Sequence, residues 1–514
     1  MRDLSVGPPT ALIRRPTDRT TTPPPGWDTD NKFLNGPFAP WSGDSSEFDL
    51  EVISGKLPDD LAGALFRISS NPRFEPLDLG RYHWWEGDGA VAGVYIRQGR
   101  AKFAMKWVET DSMKFEVQQG EAVYSGFVNG SDHPHPVPTG APPAKNVANT
   151  NVGIFDDHLL VYFEGGLPTS MHPESLETFG PYDFHGGIDI LCTAHYKIDP
   201  SSGDMLFFAA VGPHLTWYRA DVKTGRVVDS HTIDMGCPAM VHDYVVSENY
   251  AIFLISPTQF RLDLIMRGRA GVLWDEAAVP DGSRFAVLDR RTKKVTWYDT
   301  GLMVAPTHFF NAFETPQGIV VDVHIINRLG NLADDPDNPA SSHTWFPPAM
   351  AWRFELNTST KKAANKMLSG VAGEFPKIND DWLGRANRWG YFATTRDLSP
   401  VTMTDGLARY DHITGQTIVL EGPDGLTNPS EPVFVQRRGA IDENDGYLLS
   451  LWWNPDTGLS ELLVHHAEVW EARPLARVKL PVRVPFGFHG SWADQDVLDK
   501  SIAASSQRND LRAS

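Results

Sequence analysis

Tight turns with the same polar pattern recur along this chain and constrain its fold more than any other feature. Each turn places an Asp ahead of a Gly, where the Asp side chain caps the backbone and the Gly adopts a positive φ. These turns are Asp199–Gly203, Asp221–Gly225, Asp411–Gly415 and Pro455–Gly458. Between them lie short runs rich in β-branched and aromatic residues, which are typical of strands. The runs are His158–Phe163, Tyr250–Ser256, Gly318–Ile326, Gly446–Trp453 and Glu461–Trp470.

The pattern predicts an all-β chain made of hairpins in series, because long amphipathic helical patterns are almost absent. At 514 residues, many four-stranded units close most simply into a β-propeller. No fixed short repeat is visible. We expect one propeller domain over residues 31–494, a flexible tail rich in Pro, Thr and Arg over 1–30, and a polar tail over 495–514.

Composition excludes several classes of partner. The net charge of −19 has no compensating basic block, so we expect no nucleic-acid partner and no attraction to an anionic membrane surface. The two cysteines, Cys192 and Cys237, exclude a disulfide framework and favour a reducing compartment, by default the cytoplasm. No stretch approaches the roughly 20 apolar residues of a membrane-spanning helix, so stable membrane anchoring is not expected.

Four histidines lie at the edges of apolar, strand-like runs, and each can be matched with a distant glutamate in an apolar setting. They are His195, His242, His308 and His489. A single histidine is more often a surface or core residue than a ligand. These four are too far apart for one helix or loop, but they suit ligands that different blades bring to the axis of a propeller. Imidazole binds Fe, Zn, Cu or Ni, so the residues predict a four-histidine metal centre.

Ten motifs, in this order along most of the chain, resemble those of the carotenoid cleavage oxygenases. That family includes lignostilbene dioxygenases, isoeugenol monooxygenase and the retinal-pigment-epithelium isomerohydrolase. The motifs are Gly63–Arg67 with Asn71-Pro72, Trp85–Gly89, Ala148–Asn151, Glu164–Gly166, Thr193–His195, Met240–Asp243, His308–Ala312, Glu374–Asn379, Glu431-Pro432 and Gly487–Gly490. The resemblance implies a seven-bladed propeller with a cap of loops and short helices over the metal-centre face. It also implies an Fe(II) dioxygenase that uses O2 to cleave a conjugated carbon–carbon double bond to two carbonyl products.

The resemblance also assigns roles to individual residues. The iron ligands are expected to be His195, His242, His308 and His489. Three carboxylates should accept the other ring N–H of a ligand and so orient it; they are Glu164, Glu374 and Glu431. Thr150 falls where the family places a threonine whose methyl group partly blocks one coordination position.

The resemblance implies a small hydrophobic or phenolic alkene as the substrate, but on this point it is looser. Lignostilbene dioxygenases hold a phenol with a tyrosine and a lysine. In this chain Trp107 takes the tyrosine position, and the lysine position falls near Gly140 or Ala141, with Lys145 close by. The missing pair argues against hydroxystilbenes, and the expected substrate is an apocarotenoid or a lignin-derived phenylpropenoid or stilbene-like alkene. The aromatic residues expected to line the substrate tunnel are Phe66, Trp107, Phe309 and Phe310.

Other readings compete with this one. The histidines could be structural parts of a binding propeller without chemistry, or the same centre could perform the ester cleavage and isomerisation of the retinoid branch. A hydrolytic zinc enzyme is a further alternative, although catalytic zinc typically has three protein ligands. Transient membrane contact would involve Leu264–Trp274 or Trp345–Trp352. We interpret Cys192 and Cys237 as small buried hydrophobic residues.

Overall fold

A computed structural model describes residues 27–513, apart from 28, 42, 44, 48, 131–136, 328–347, 397–402 and 472. Most of the N-terminal tail predicted over 1–30 lies outside the described residues, as does part of the proposed membrane segment Trp345–Trp352. The described chain forms seven antiparallel sheets of four or five strands, with one additional two-stranded sheet.

The N-terminal strands belong to two sheets that are completed only by the end of the chain. In chain order they are β1 (Ser45–Glu47), β2 (Val52–Gly55), β3 (Gly63–Asn71), β4 (Asp88–Arg97) and β5 (Arg100–Trp107). Helix α1 (Asp111–Gln119) follows. It begins where the Thr110 side chain accepts the Met113 N–H and ends at Gly120, which has a φ of 78°. A hydroxyl cap and a left-handed glycine are the usual limits of a helix.

Five four-stranded sheets come next, and in each the strands follow one another in space as they do in the chain. Blade 1 contains β6 (Asn151–Phe155), β7 (His158–Tyr162), β8 (Thr169–Met171) and β9 (Thr178–Pro181). Blade 2 contains β10 (Lys197–Ile198), β11 (Met205–Val211), β12 (His214–Ala220) and β13 (Val227–Asp234). Blade 3 contains β14 (Val245–Val246), β15 (Tyr250–Ile255), β18 (Arg284–Asp289) and β19 (Val295–Asp299). A hairpin is inserted between β15 and β18; it consists of β16 (Thr258–Phe260), helix α2 (Leu262–Ile265) and β17 (Val272–Trp274).

Blades 4 and 5 repeat this arrangement. Blade 4 contains β20 (Ala305–Thr315), β21 (Gly318–Ile326), β22 (Met350–Asn357) and β23 (Ala363–Met367). Blade 5 contains β24 (Gly373–Lys377), β25 (Trp389–Thr394), β26 (Gly406–Asp411) and β27 (Thr417–Glu421). The first strands of neighbouring blades contact one another, as β14 does β20 and β20 does β24, so the first strand of each blade lies nearest the axis.

The last two blades close the ring by combining the two ends of the chain. Blade 6 contains β28 (Val433–Gln436), β29 (Gly446–Asn454), β30 (Leu459–His466) and β31 (Ala476–Lys479). The early strand β2 pairs with β31. In blade 7, β32 (Gly490–Asp494) pairs with β3 and lies innermost, followed outward by β4, β5 and β1. The predicted seven-bladed all-β propeller is confirmed.

The predicted hairpin turns join neighbouring strands within blades. The Asp199 side chain accepts the Ser201 N–H at 2.9 Å, and Gly203 has a φ of 78°. In the turn between β12 and β13, Asp221 accepts the Thr224 N–H at 2.9 Å and Gly225 has a φ of 66°. The side-chain cap and the positive φ are therefore both present, as the Asp-to-Gly pattern requires.

The cap over one face is built from segments between strands, as the resemblance implied. It includes the β16–β17 hairpin with α2, and the 3₁₀ turn Trp84–Glu86. The other 3₁₀ turns are Lys32–Leu34, Gly36–Phe38, Glu276–Ala278, Asp380–Trp382 and Pro423–Gly425. Among the described residues, no helix has both the length and the apolar character needed to span a bilayer.

The C-terminal segment differs from the polar tail predicted over 495–514, because it forms helix α3 (Gln495–Ala513). Leu498, Ser501 and Ser505 are buried, and their spacing of three and four residues places them on one face of the helix. The helix contacts β3 and β32, and Lys500 pairs with Asp157 at 2.9 Å. The high polar content of this segment concealed a narrow packing face made largely of small serines.

Candidate metal centre

Each of the seven innermost strands carries one polar side chain at or near its first residue. In blade order these residues are Thr150, His195, His242, His308, Glu374, Glu431 and His489. Strand starts from all seven blades meet around the axis, so residues far apart in the sequence converge at one place. An eighth residue, Glu164, follows β7 in blade 1.

The four histidines form one compact group. One ligand atom from each lies within 4.8 Å of the others. The Nε2 atoms of His195 and His242 are 3.2 Å apart, as are those of His242 and His308. Nitrogens that share a metal ion at about 2.1 Å lie roughly 3.0–3.4 Å apart. The spacing therefore matches that of ligands to a common ion.

Three of the histidines contact a glutamate through the other ring nitrogen. His308 Nδ1 lies 2.7 Å from Glu374 Oε2, and His489 Nδ1 lies 2.8 Å from Glu431 Oε1. His242 Nδ1 contacts Glu164 Oε1. An Nδ1–H donated to a carboxylate leaves the lone pair on Nε2, which is the tautomer that binds a metal.

These tautomers provide a test of whether the site suits a metal. With Nδ1–H donated to a glutamate, the Nε2 lone pairs of His242 and His308 face each other at 3.2 Å, an arrangement that is repulsive unless a cation lies between them. The Nε2 atom of His489 is buried and has no hydrogen-bond partner in the described part of the chain. Buried polar atoms normally have a partner, so the donor set fits a metal ion.

The electrostatics keep Glu374 and Glu431 charged and two of the imidazoles neutral. Burial raises the pKa of Glu374, but His308 outweighs this effect and lowers the pKa to about 2. Burial likewise opposes ionisation of Glu431, but Lys377 and His489 hold its pKa well below the usual range. Burial lowers the pKa of His489 to about 4 and holds the pKa of His195 well below its ordinary value. Metal ligands must be deprotonated, and these shifts favour that state.

Backbone irregularities mark the two strands that supply His308 and Glu374. The pairing of β20 with β21 shifts register around Phe309, and the pairing of β24 with β25 shifts after Glu374. Phe375 has a φ of 58°, which is unusual for an aromatic residue. Its ring lies 5.5 Å from the rings of both His308 and His489. Strained residues of this kind cluster at functional sites, where the surrounding structure holds them.

A cavity beneath the cap, the apolar cavity, reaches His242, His308, Glu164 and Glu374. Its walls are mainly aromatic and aliphatic side chains that come from the cap and loops; they include Trp84, Trp85, Phe127, Phe163, Phe260, Phe486 and Phe488. Thr150 lies at the metal end of this cavity, where its hydroxyl donates to Asn149 Oδ1 at 3.0 Å and its carbonyl accepts the His489 N–H at 3.1 Å.

A second cavity, the axial cavity, reaches His195, His308 and His489 from between the innermost strands. Its lining carries many charged side chains, which are Lys197, Asp243, Lys377, Asp380, Asp381, Glu431 and Asp494. The four-histidine group therefore borders an apolar space on one side and a strongly charged one on the other, and His308 lines both.

The structure corrects part of the predicted substrate lining. Phe66 is fully buried in β3, where its ring packs edge-on against Tyr95 at 5.9 Å. Trp107 ends β5 and packs against Trp41 at 5.3 Å. Neither lines the apolar cavity, because both occupy packed blade interiors. Phe309 and Phe310 line the axial cavity instead.

Lys145 is neither a solvated lysine nor a residue of the apolar cavity. Its Nζ atom lies 3.0 Å from Asp88 Oδ1 and 2.9 Å from Glu116 Oε2. Burial lowers its pKa, but the two carboxylates outweigh this effect and raise the pKa above the usual value. The two cysteines are free and buried, as expected of small hydrophobic residues.

Three charged residues at the metal centre were not singled out from the sequence: Asp243, Lys197 and Lys377. Lys197 Nζ lies 2.9 Å from Asp243 Oδ1, and Lys377 Nζ lies 3.5 Å from Glu431 Oε1. All three stand within three residues of a predicted site residue, and Asp243 directly follows the ligand His242 in the Met240–Asp243 motif. That adjacency was the available signal.

Known proteins resemble this chain over most of its length. The family model described as Retinal pigment epithelial membrane protein matches residues 38–494. Carotenoid 9,10(9′,10′)-cleavage dioxygenase 1 of Pisum sativum is 30% identical over 91% of each chain. Resveratrol cleavage oxygenase 1 of Aspergillus fumigatus is 30% identical over 88% of this chain and 93% of its own.

Solved structures agree. The crystal structure of Pseudomonas brassicacearum lignostilbene dioxygenase matches with a TM-score of 0.79 and 26% identity, and the match covers 90% of this chain and 99% of that one. The predictions of a propeller and of a dioxygenase-type enzyme are confirmed by these relatives. The chain therefore belongs to the Retinal pigment epithelial membrane protein family, that of the carotenoid cleavage oxygenases.

Proposed function

We propose that this protein is a non-haem Fe(II) oxygenase that cleaves a conjugated carbon–carbon double bond in an apolar polyene of the apocarotenoid type. The observation that carries the proposal is the apolar cavity, whose aromatic and aliphatic walls end at two of the four clustered histidines. The overall reaction, an alkene and O2 giving two carbonyl compounds, balances without an external reductant.

The donor set supports iron. Four neutral imidazoles suit several borderline divalent ions and leave the full charge of the ion uncompensated by its ligands. Fe(II) held by His195, His242, His308 and His489 would supply the redox chemistry that makes O2 reactive, which zinc lacks. Glu164, Glu374 and Glu431 would orient three of these imidazoles and raise their basicity.

The cavity residues would select and position the substrate. Aromatic walls exclude water and favour an extended apolar molecule. Thr150 engages its hydroxyl with Asn149, so its methyl group is the part of the side chain left to narrow the space beside the histidines. Positioning one double bond near the metal site supplies most of the regioselectivity that such a cavity can give.

The lining also supports the choice of a polyene over a phenol. Among the described residues that line the apolar cavity there is no lysine, arginine or tyrosine. Apart from the candidate ligands His242 and His308, the cavity therefore offers a phenolate no cationic side chain and no tyrosine hydroxyl. Lys145 is held by Asp88 and Glu116. The cavity does offer hydroxyl and amide groups, among them Ser256, Thr258 and Asn149, which would suit a small neutral phenylpropenoid as a second candidate.

Two of the predicted alternatives, a binding propeller and a retinoid-type enzyme, have less support. A binding propeller without chemistry does not account for three glutamates aligned on clustered histidines. The retinoid isomerohydrolase branch depends on lipid-modified cysteines, whereas Cys192 and Cys237 are buried. The candidate membrane segment Leu264–Trp274 runs from the end of α2 through β17, and its exposed Met266 is followed directly by Arg267.

The decisive experiment measures O2 consumption by Fe(II)-loaded protein with an apocarotenal, β-carotene, isoeugenol, 4-vinylguaiacol and resveratrol, with aldehyde products identified by mass spectrometry. The Zn(II)-loaded protein is the control. We expect aldehydes from the polyenes with iron and none with zinc. Cleavage of resveratrol alone would overturn the substrate class, and inactivity on every compound with iron bound would overturn the proposed reaction.

A further inference from the structure

One ligand of the candidate metal centre differs from the other three. His242, His308 and His489 each contact a glutamate, whereas the carboxylate that faces His195 Nδ1 is Asp243, whose Oδ1 atom is 3.6 Å away. This separation is too long for a direct hydrogen bond. The carboxylate still favours the tautomer with hydrogen on Nδ1, because a negative charge stabilises the N–H that faces it.

Asp243 also connects the strands that carry three of the four histidines. Its Oδ2 atom accepts the Phe309 N–H at 2.9 Å, directly after His308 in blade 4. Its Oδ1 atom accepts the N–H of its own neighbour Tyr244 at 2.8 Å in blade 3, and accepts from Lys197 Nζ at 2.9 Å in blade 2. The Phe309 N–H lies at the register shift of β20, where a bulge turns backbone groups out of the ladder.

The side chain is almost completely buried, with 2% of its surface exposed. An ionised carboxylate is buried at a high free-energy cost unless it is fully paired. Two backbone N–H groups and one ammonium group provide that pairing. The resulting unit of His195, Asp243 and Lys197 parallels the unit of His489, Glu431 and Lys377 across the axial cavity.

We propose that Asp243, held by Lys197, is the fourth carboxylate of the metal centre and acts as a positioning residue. It fixes the tautomer of His195 and the relative placement of the segments that carry His195, His242 and His308. The inference rests on the proposed metal site. It concerns the arrangement of the ligands, and it does not depend on which alkene is cleaved.

The test compares Asp243→Asn with Asp322→Asn. Asp322 is a matched control because it is also a buried aspartate, accepting two hydrogen bonds of 2.7 Å from Arg353, but it contacts none of the four histidines. The metal-free proteins are titrated with Co(II) in competition with a chelator, and the visible absorption spectrum of the bound Co(II) is recorded.

We expect Asp243→Asn to weaken Co(II) binding on the order of 10–100-fold and to change the ligand-field bands of the spectrum. Asp322→Asn should alter the affinity for Co(II) by less than about twofold, even if it lowers the melting temperature as much as Asp243→Asn does. If Asp243→Asn does not fold, Lys197→Gln keeps the carboxylate and removes its anchor; it should weaken binding by a smaller factor and shift the same bands.

The outcomes separate this inference from the proposed function. A wild-type protein that binds no Co(II) would refute the metal site itself. If wild type binds Co(II) tightly and Asp243→Asn has the same affinity and spectrum, only the role of Asp243 is refuted. Where Asp243→Asn does not fold, the same result for Lys197→Gln refutes that role. An equal loss in Asp322→Asn would also refute it, because the effect would then follow from general destabilisation.

Discussion

The apolar cavity and the axial cavity both end at the four-histidine group and share His308, yet their linings are opposite in character. Aromatic side chains from the cap dominate the first, and ion pairs between inner strands dominate the second. This difference suits the two cavities to different tasks. One side can discriminate among substrates by excluding charge, and the other uses charge to hold the ligands in place. Changes on the two sides should therefore affect different measured quantities.

The prediction with the largest expected effect tests whether the apolar cavity and the axial cavity share one metal site. His242 lines the apolar cavity and His489 lines the axial cavity. Replacing either with Ala should remove the bound metal and reduce turnover by more than about 100-fold, the upper range for losing a residue that only orients a ligand. Metal content by elemental analysis and O2 uptake measure this. Retained metal and turnover in either variant would show that the four histidines do not act together.

A smaller effect separates the carboxylates of the two sides. Glu431 is buried and lies near Arg67 and Lys377 as well as His489, whereas Glu164 is partly exposed and contacts His242. We expect Glu431→Gln and Glu164→Gln both to weaken metal binding by about 10–100-fold.

Only Glu431→Gln should also destabilise the metal-free fold, by roughly 3–5 kcal/mol, because it leaves buried cations unpaired. Chelator competition and thermal unfolding measure the two effects. Equal melting temperatures for the two variants would contradict the assignment of the charged network to the axial side.

A lysine introduced into the apolar cavity should weaken substrate binding more than a lysine introduced into the axial cavity. Phe127 lines the apolar cavity and Phe434 lines the axial cavity, and both are half-buried. Phe127→Lys should raise the KM for a polyene about tenfold, since burying a Phe contributes about 1.5–3 kcal/mol. Phe434→Lys should change KM less than about twofold. Steady-state kinetics at matched iron content measure both, and a larger effect of Phe434→Lys would reverse our assignment of the substrate side.

The smallest effect is a pH dependence of the metal-free protein. The pKa of His489 is lowered to about 4 by burial, below its ordinary value near 6.5. Between these values the unfolded chain binds more protons than the folded one, so stability is lost as pH falls from about 6.5 towards 4.

We expect the melting temperature of the metal-free protein to fall by about 2–4 °C across this range. His489→Gln, which does not titrate, should give a flatter profile. A melting temperature that rises on acidification would contradict the predicted sign.

The four clustered histidines were accessible from the sequence because they follow the strand pattern. Four of the seven innermost strands carry a histidine at or near the start, and these strands converge on the axis, so His195, His242, His308 and His489 could be named together. The aromatic residues that line the apolar cavity could not be named in this way. Trp85 and Phe127 lie in the cap and loops, where no periodicity links sequence position to direction, whereas Phe66 and Trp107 lie in strands and were absorbed by the core.

Asp243 and helix α3 were also missed in the sequence, for similar reasons. Asp243 has the sequence appearance of an ordinary strand-start residue, and its contacts to Lys197 and Phe309 arise only when three blades pack together. Helix α3 was missed because its buried face includes Ser501 and Ser505, and small polar residues give no hydrophobic signal.

Blade 7 joins the last strand of the propeller to strands from the start of the chain, and His489 directly precedes that last strand. During synthesis, the blades that carry His195, His242 and His308 can fold while the ribosome is still translating the remainder. They can offer three imidazoles at most until β32 docks beside β3. A complete four-histidine group therefore forms only once translation has reached the last strand of the ring.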